Sequence, residues 1–267
     1  MKTIKIDFST YFVILLSFLA GNFKRILLTI GIVIFHELGH VFWLMVFKVP
    51  ILEVKIYPFG GITRTNKMLN YSLNRELVIA LGGIFNQVVL YLVFGLFYKL
   101  GFINTYTYKM FYNVNTTLII FNLIPMIPLD GGIIFHTMLN KFMGYVYSNG
   151  VYILVSIISF ILFLVVNIKG KINILIIISF LGYKLICFVK KRKYLENKFF
   201  LERYLYDLDF DKIIYERNKN IKKLRIGKYH YFNYLGEKKV LQEIFGVMDK
   251  NYLNLLKKLK DYGILLI

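Results

Sequence analysis

The sequence predicts an all-α polytopic membrane protein of about six transmembrane helices, with a short membrane-surface β-hairpin and a small C-terminal cytoplasmic α/β domain. The first observation behind this prediction is composition: 57% of the 267 residues are apolar, and the mean hydropathy is +0.58. Charged residues make up 18% of the chain, whereas soluble domains contain about a quarter. The second observation is that the apolar residues lie in long runs, which excludes a purely water-soluble globule.

The apolar runs are the predicted spans, and they lie at about residues 8–20, 26–47, 77–98, 110–127, 151–167 and 172–189. A helix needs about 20 apolar residues to cross a bilayer, so most of these runs are long enough and the first is short. We expect the first run to be a retained span. A cleaved signal peptide is the alternative, but the small residue expected three positions before a cut after Ala20 is missing.

The distribution of charge predicts the orientation in the membrane. Lys and Arg together number 34, against 15 Asp and Glu. With six spans and both termini in the cytoplasm, the inside segments hold more basic residues than the outside loops. The sequence therefore predicts a multi-pass protein of the cell membrane, embedded in the lipid bilayer, whose basic residues flank the spans and need no nucleic-acid partner. The lone Cys187 excludes an internal disulfide framework.

The character of the chain changes after the basic run 190–193. Beyond it the composition is of mixed charge, with short apolar groups such as Val240, Leu241, Ile244 and Phe245 at helical spacing. We therefore expect a transmembrane domain at residues 1–192 and a cytoplasmic domain at residues 193–267.

The middle of the second apolar run, at residues 26–47, contains three ionisable residues, which are costly inside a bilayer. They are His36, Glu37 and His40. On a helix the two imidazoles lie one turn apart on one face, so both can reach one ion. A charged residue at mid-span costs about 2.5–3.5 kcal/mol. His-Glu-x-x-His on a helix is typical of zinc metalloproteases, in which the carboxylate accepts a proton from water. The alternative is a structural cluster of polar side chains that satisfy one another in the core.

A hydrolytic zinc site needs a third protein ligand. Asp130 is the remaining acidic residue inside an apolar region, and two prolines and two glycines stand within the eight residues 125–132. These residues break a helix, and broken backbone at membrane depth is tolerated where it lines a buried or water-filled cavity. We therefore predict Asp130 as the third ligand. The alternative is that it caps a helix that begins near Gly131.

Residues 52–61 predict the hairpin. Leu52 to Tyr57 alternate between apolar and polar, and Pro58-Phe59-Gly60-Gly61 follows as a turn. An edge strand here can pair with an unwound substrate, which makes Gly60 and Gly61 candidate substrate-binding residues. A hairpin that merely lies on the membrane surface is the alternative.

The paired motifs resemble the site-2 protease family of intramembrane zinc metalloproteases. The resemblance rests on residues 36–40 together with Asn122, Pro125 and the segment Pro128 to Gly132, about 90 residues further on, and it covers about residues 5–190. It implies Zn²⁺ bound by His36, His40 and Asp130, and Glu37 as the general base.

The resemblance also implies residues that contact the substrate, namely Asn86, Asn122 and Pro128. Asn86 ends the segment Gly82-Gly83-Ile84-Phe85-Asn86, where family members often have proline at the place of Gly83. Its amide would donate a hydrogen bond to the oxyanion or to the substrate backbone. An interhelical amide bond between closely packed helices is the alternative.

The function implied by the resemblance is intramembrane hydrolysis of a membrane-associated protein, a sporulation sigma-factor precursor, under the control of regulatory membrane proteins. The sporulation branch of the family commonly carries a nucleotide-sensing domain of the cystathionine-β-synthase (CBS) type. That implies a CBS-like domain and ATP binding at residues 193–267. A basic substrate-docking tail on the membrane surface is the alternative.

Two other classes of function compete with the protease. One is a catalytically silent membrane scaffold or a metal transporter that retains the zinc site. The presence of Glu37 opposes the scaffold, because a structural zinc site prefers four protein ligands and needs no base. The other is a membrane zinc enzyme with a small or lipid substrate, for which the hairpin would be dispensable.

Overall fold

The computed structural model describes residues 4–6, 23–57, 60–65, 69–167 and 172–245. The predicted first span at 8–20 and the turn residues Pro58 and Phe59 lie outside the described residues. The described chain is mostly helical, in agreement with the predicted class. It divides into two compact units, of which the first comprises Met1–Lys67, Leu77–Ile124 and Leu129–Gly131, and the second comprises Met68–Glu76, Pro125–Pro128 and Gly132–Ile267.

Seven α-helices are described. They are α1 (Phe23–Val46), α2 (Leu73–Lys99), α3 (Thr105–Leu123), α4 (Asp130–Phe142), α5 (Tyr145–Val166), α6 (Ile172–Leu205) and α7 (Glu237–Phe245). Within the described residues, α1, α2 and α5 are the three helices long and apolar enough to cross a membrane. The prediction of membrane-spanning helices is confirmed for these three.

Large apolar side chains on these helices face outward. Leu92 on α2 is 72% exposed, and Leu162 and Val166 on α5 are 60% and 81% exposed. A soluble protein rarely leaves such faces in contact with water. Lipid is the solvent that covers them without cost, so the outward faces of these helices indicate a membrane-embedded protein.

The helix α3 begins and ends where the sequence provides stop signals. The Asn104 side chain accepts a hydrogen bond from the Thr107 N–H at 2.8 Å and caps the first turn. The helix ends at Leu123 because Pro125 excludes the helical conformation at the residue before it and cannot donate to the preceding turn. The predicted break in the apolar run 110–127 is therefore present.

A three-stranded sheet belongs to the first unit. It consists of β1 (Ile4–Ile6), β2 (Ile51–Tyr57) and β3 (Gly60–Thr65), with β2 in the centre, parallel to β1 and antiparallel to β3. The predicted hairpin is thus present as β2 and β3, whereas β1 was not predicted. Within the described residues β3 pairs only with β2, so its other edge is open.

The helices α1, α2 and α3 pack through aromatic and small residues. Ile32, Phe111 and Val114 form a buried cluster, and the Phe94 and Phe111 rings stack with centroids 3.8 Å apart. A Cβ atom at Gly39 would lie 2.2 Å from the Gly82 carbonyl oxygen, so the backbones of α1 and α2 touch at this point. Small residues at such crossings let membrane helices approach closely.

The second unit contains another three-stranded sheet. Its strands are β4 (Lys212–Glu216), β5 (Lys228–Phe232) and β6 (Leu235–Gly236), with β4 parallel to β5 and β5 antiparallel to β6. Val240, Leu241 and Phe245 on α7 are buried in one core with Phe199 and Phe232. The helical spacing found in the sequence therefore marks a real core-facing surface of α7. The helix α6 runs through residues 192 and 193 without a break.

A buried ion pair organises this unit. Arg203 and Glu237 are both fully buried, and the Arg203 guanidinium donates to Glu237 Oε2 at 2.6 Å and to the carbonyl oxygens of Arg225 and Lys228 at 2.9 and 2.6 Å. The His230 N–H donates to Glu237 as well, at 2.9 Å. Burial raises the pKa of the Glu237 carboxyl, and Arg203 opposes that effect. The hydrogen bonds offset the cost of taking both charges out of water.

His230 makes the second unit sensitive to acid. Its ring is fully buried, and Nε2 accepts a hydrogen bond from the Arg225 N–H. Burial, and next the charge of Arg203, lower the pKa of His230 from 6.5 to about 4. Between these two values the unfolded chain binds the proton and the folded chain does not, so the folded state loses stability as the pH falls through this window.

We therefore predict that lowering the pH from 7 to 4.5 destabilises the wild-type protein by about 2 kcal/mol more than it destabilises His230→Gln. Glutamine keeps a neutral acceptor for the Arg225 N–H but does not titrate. Urea titrations followed by near-ultraviolet circular dichroism at both pH values measure the difference. Parallel pH dependences of the two proteins would contradict the buried neutral state of His230.

Candidate metal centre

Three of the predicted site residues meet in the first unit. His36 and His40 lie on one face of α1, and Asp130 is the first residue of α4. The Asp130 Oδ2 atom lies 3.0 Å from His36 Nε2 and 3.3 Å from His40 Nε2. The two Nε2 atoms are 3.1 Å apart. The side chains are 7%, 13% and 13% exposed, so this cluster is shielded from bulk solvent.

The protons of the two imidazoles are placed by their outer partners. His40 Nδ1 lies 2.7 Å from the Ile79 carbonyl oxygen, which can only accept, so this nitrogen carries the proton. His36 Nδ1 lies 3.0 Å from Gln87 Oε1 and donates to it. Each neutral imidazole has one proton, so both Nε2 atoms present lone pairs to Asp130.

When both imidazoles are neutral, the cluster therefore joins three acceptors with no proton between them. Asp130 Oδ2 is buried and accepts no hydrogen bond from the described residues. Two lone pairs and a carboxylate oxygen within 3.3 Å of one another repel unless a cation lies among them. Zinc binds nitrogen and oxygen at about 2.0–2.2 Å, and the edge of such a tetrahedron is about 3.3 Å. The donor atoms and their separations thus fit zinc.

Gly83 on α2 closes one side of the cluster. A Cβ atom at this position would lie 2.4 Å from His36 Cε1 and 2.5 Å from His40 Nε2. The backbone of α2 therefore rests directly against both imidazoles. Any side chain here would push them away from Asp130.

Gly131 has a similar role for the third ligand. A Cβ atom here would lie 2.2 Å from the Leu123 carbonyl oxygen, at the end of α3. The missing side chain lets the start of α4 lie against the end of α3. This contact holds the backbone beside Asp130.

The other predicted site residues have different surroundings. Glu37 is half-buried on α1, next to His36 in the chain. The Asn86 amide donates to the Phe35 carbonyl oxygen at 2.8 Å, which is the interhelical bond that the sequence left open as the alternative. The roles of Glu37 as base and of Asn86 toward substrate stay predictions.

The remaining candidates lie on other elements. Asn122 is half-buried in the last turn of α3, Pro128 is exposed in the segment before α4, and Gly60 and Gly61 begin β3. Their predicted contacts with substrate stay predictions as well.

Two residues of the site were missed in the sequence. Gln87 and Asn115 are both fully buried, and Gln87 contacts His36 directly. The available signal was an amide in the middle of each of two apolar runs, at residues 77–98 and 110–127. A buried amide in a membrane span requires a partner, and that requirement alone marked both positions.

Comparison with known proteins bears on the family. No model of a known protein family matches the chain. Stage IV sporulation protein FB of Bacillus subtilis is 26% identical over 212 residues, which cover 78% of this chain and 70% of the relative. A zinc metalloprotease of Methanocaldococcus jannaschii is 32% identical over 126 residues, which cover 46% of this chain and 36% of that protein.

A solved structure shows the same fold. The site-2 protease from Methanocaldococcus jannaschii superimposes with a TM-score of 0.53 at 23% identity, over 68% of this chain and 88% of the solved chain. These relatives and the solved structure support the site-2 protease family. The resemblance drawn from residues 36–40 and 122–132 is therefore confirmed. The likeness to a site-2 protease also agrees with the apolar, outward-facing helices.

The contact of Gly83 with the imidazoles yields a prediction. Gly83→Ala should displace the two rings and lower the zinc content of the purified protein severalfold, with a loss of stability of about 1–3 kcal/mol from overpacking. Gly95→Ala is the matched control, because it lies on the same helix and its Cβ would meet nothing within 4 Å. Zinc analysis and thermal unfolding in detergent measure both effects. Equal zinc contents in the two variants would refute the close contact.

Proposed function

We propose that this chain is a zinc metalloendopeptidase that hydrolyses a peptide bond of a membrane-associated protein inside the bilayer. The observation that carries the proposal is the convergence of His36 Nε2, His40 Nε2 and Asp130 Oδ2 within 3.3 Å, with both histidines on a helix of membrane-spanning length. The names of the relatives, a zinc metalloprotease and a site-2 protease, support the same activity.

The proposed roles follow from the arrangement. His36, His40 and Asp130 would hold a zinc ion, since each offers one ligand atom to the cluster. A bound zinc ion polarises a carbonyl oxygen and lowers the pKa of water to about 7. Glu37 accepts a proton from the attacking water and passes it to the leaving amine, which completes hydrolysis without a covalent acyl-enzyme.

The substrate must reach the site as an extended chain, because the carbonyl groups of a helix are engaged in hydrogen bonds to the following turn. Among the described strands β3 lies at the edge of its sheet, which supports a binding mode in which the substrate adds a strand beside Gly60 and Gly61. In the first unit β3 packs against α1, the helix of the two histidines. Asn86, Asn122 and Pro128 complete the proposed substrate-binding set.

The likeness to Stage IV sporulation protein FB supports a role in sporulation. We propose a sporulation sigma-factor precursor as the substrate and other membrane proteins as regulators. The proposed topology has six spans and places both termini in the cytoplasm. Nucleotide sensing by a CBS-like domain at residues 193–267 stays a prediction.

The activity is tested with Glu37→Gln. The change removes the proton acceptor but leaves all three ligands, so cleavage should fall by about 10²–10⁴-fold while zinc content stays at the wild-type level. The assay is co-expression with a tagged, membrane-tethered sigma-factor precursor, followed by electrophoresis and by zinc analysis of the purified enzyme. Glu216→Gln is the control, because this carboxylate pairs with Lys223 on the second unit and lies outside the ligand set.

Unchanged cleavage by Glu37→Gln would contradict the proposed base. Zinc transport into vesicles that survives in this variant, together with no cleavage by the wild type, would instead favour a transporter.

A further inference from the structure

We propose that Gln87 and Asn115 form a positioning relay that fixes the tautomer of His36, so that its Nε2 lone pair faces the proposed zinc site. The inference rests on the proposed zinc site. Neither residue contacts the ion. Both act through hydrogen bonds that link α2 and α3 to the ligand on α1.

The relay begins at a backbone carbonyl. Asn115 Nδ2 lies 3.0 Å from the Gln87 main-chain oxygen. This oxygen can only accept, so the NH₂ end of the Asn115 amide must face it. The Asn115 Oδ1 atom is thereby turned toward the Gln87 side chain.

The second step orients Gln87. Its Nε2 atom donates to Asn115 Oδ1 at 3.3 Å, which leaves Oε1 directed at His36 Nδ1, 3.0 Å away. A reversed Gln87 amide would place its oxygen against Asn115 Oδ1, and two acceptors would face each other. Both amides are fully buried, so water cannot relieve that clash.

The third step concerns the ligand itself. An amide oxygen at Nδ1 requires the ring proton on that nitrogen, so Nε2 is free to bind a cation beside Asp130, 3.0 Å away. His40 reaches the same state by a simpler route, through the Ile79 carbonyl oxygen. The ring proton is thus held on Nδ1 in both histidines, by a backbone carbonyl oxygen for His40 and by a pair of side-chain amides for His36.

The use of amides suits the membrane. A carboxylate would accept the same hydrogen bond more strongly, but it would add a further charge inside the lipid. A glutamine is neutral but has two unlike ends, so it needs a second residue to choose which end faces the histidine. We infer that this choice is the role of Asn115.

The relay is tested by the rate at which purified protein loses zinc to an excess of chelator. Gln87→Met keeps the length of the side chain but removes the acceptor, and zinc release should become about 10–100-fold faster. Asn115→Leu should accelerate release by a smaller factor, because it only frees Gln87 to turn. Tyr91→Phe is the matched control, since it removes another hydrogen bond between α2 and α3, to Thr116 at 2.6 Å, and should leave release unchanged.

The effect of Asn115→Leu in a second protein, Gln87→Glu, distinguishes a positioning role of Asn115 from a role in packing alone. In Gln87→Glu one carboxylate oxygen still accepts from His36, but the other faces the acceptor Asn115 Oδ1, so zinc release should become severalfold faster than in the wild type. Adding Asn115→Leu to Gln87→Glu removes the facing acceptor and should slow release again, although the same substitution accelerates release when Gln87 is present. A residue that only fills space would act equally in both backgrounds.

Equal zinc release from Gln87→Met and Tyr91→Phe would overturn the relay. If Gln87→Met does not fold, the relay is tested by Asn115→Leu in the wild type and in Gln87→Glu. Equal changes in the rate of zinc release in these two proteins would overturn the relay. A wild-type protein that holds no zinc would refute the proposed zinc site itself, whereas zinc-loaded wild type with indifferent variants would refute the relay alone.

Discussion

The structure of the first unit depends on holding three mutually repelling electron pairs together inside an apolar bundle. Two imidazole Nε2 atoms and one carboxylate oxygen lie within 3.3 Å of one another. The proton of each neutral ring is on Nδ1, which faces away from this cluster. In water such groups would separate or share a proton. Here the outer hydrogen bonds of the neutral rings hold the protons on Nδ1, so both Nε2 lone pairs and the carboxylate oxygen can bind one divalent cation, which satisfies all three.

Close backbone contacts hold the ligands in this geometry. Gly83 brings α2 against both rings, and Gly131 brings the start of α4 against the end of α3. The crossing of α1 and α2 at Gly39 and Gly82 sets the distance between these helices. Shape and hydrogen bonding thus act on the same three side chains, which is how a site becomes organised before its ligand arrives.

Local patterns in the sequence were sufficient to predict the three proposed metal ligands. His36 and His40 are one helical turn apart, so their shared face followed from helix geometry alone. Asp130 was predicted as the third ligand because an acidic side chain and a broken helix are both costly in an apolar run. Gln87 and Asn115 could not be paired in this way, because their contact depends on how two helices pack. The strand β1 escaped prediction for the same reason, since three residues form a strand only through a partner distant in the chain. Likewise, the Arg203–Glu237 pair joins residues that the sequence alone assigns to a solvated domain.

The central claim is that these three side chains bind one zinc ion. X-ray absorption at the zinc K edge, on the purified full-length protein and on Asp130→Asn, tests it most directly. The account predicts a four-coordinate shell of nitrogen and oxygen at about 2.0–2.2 Å with the scattering pattern of two imidazoles, and a changed shell or lost zinc in the variant. A wild-type protein without bound zinc, or an identical shell in both proteins, would contradict it.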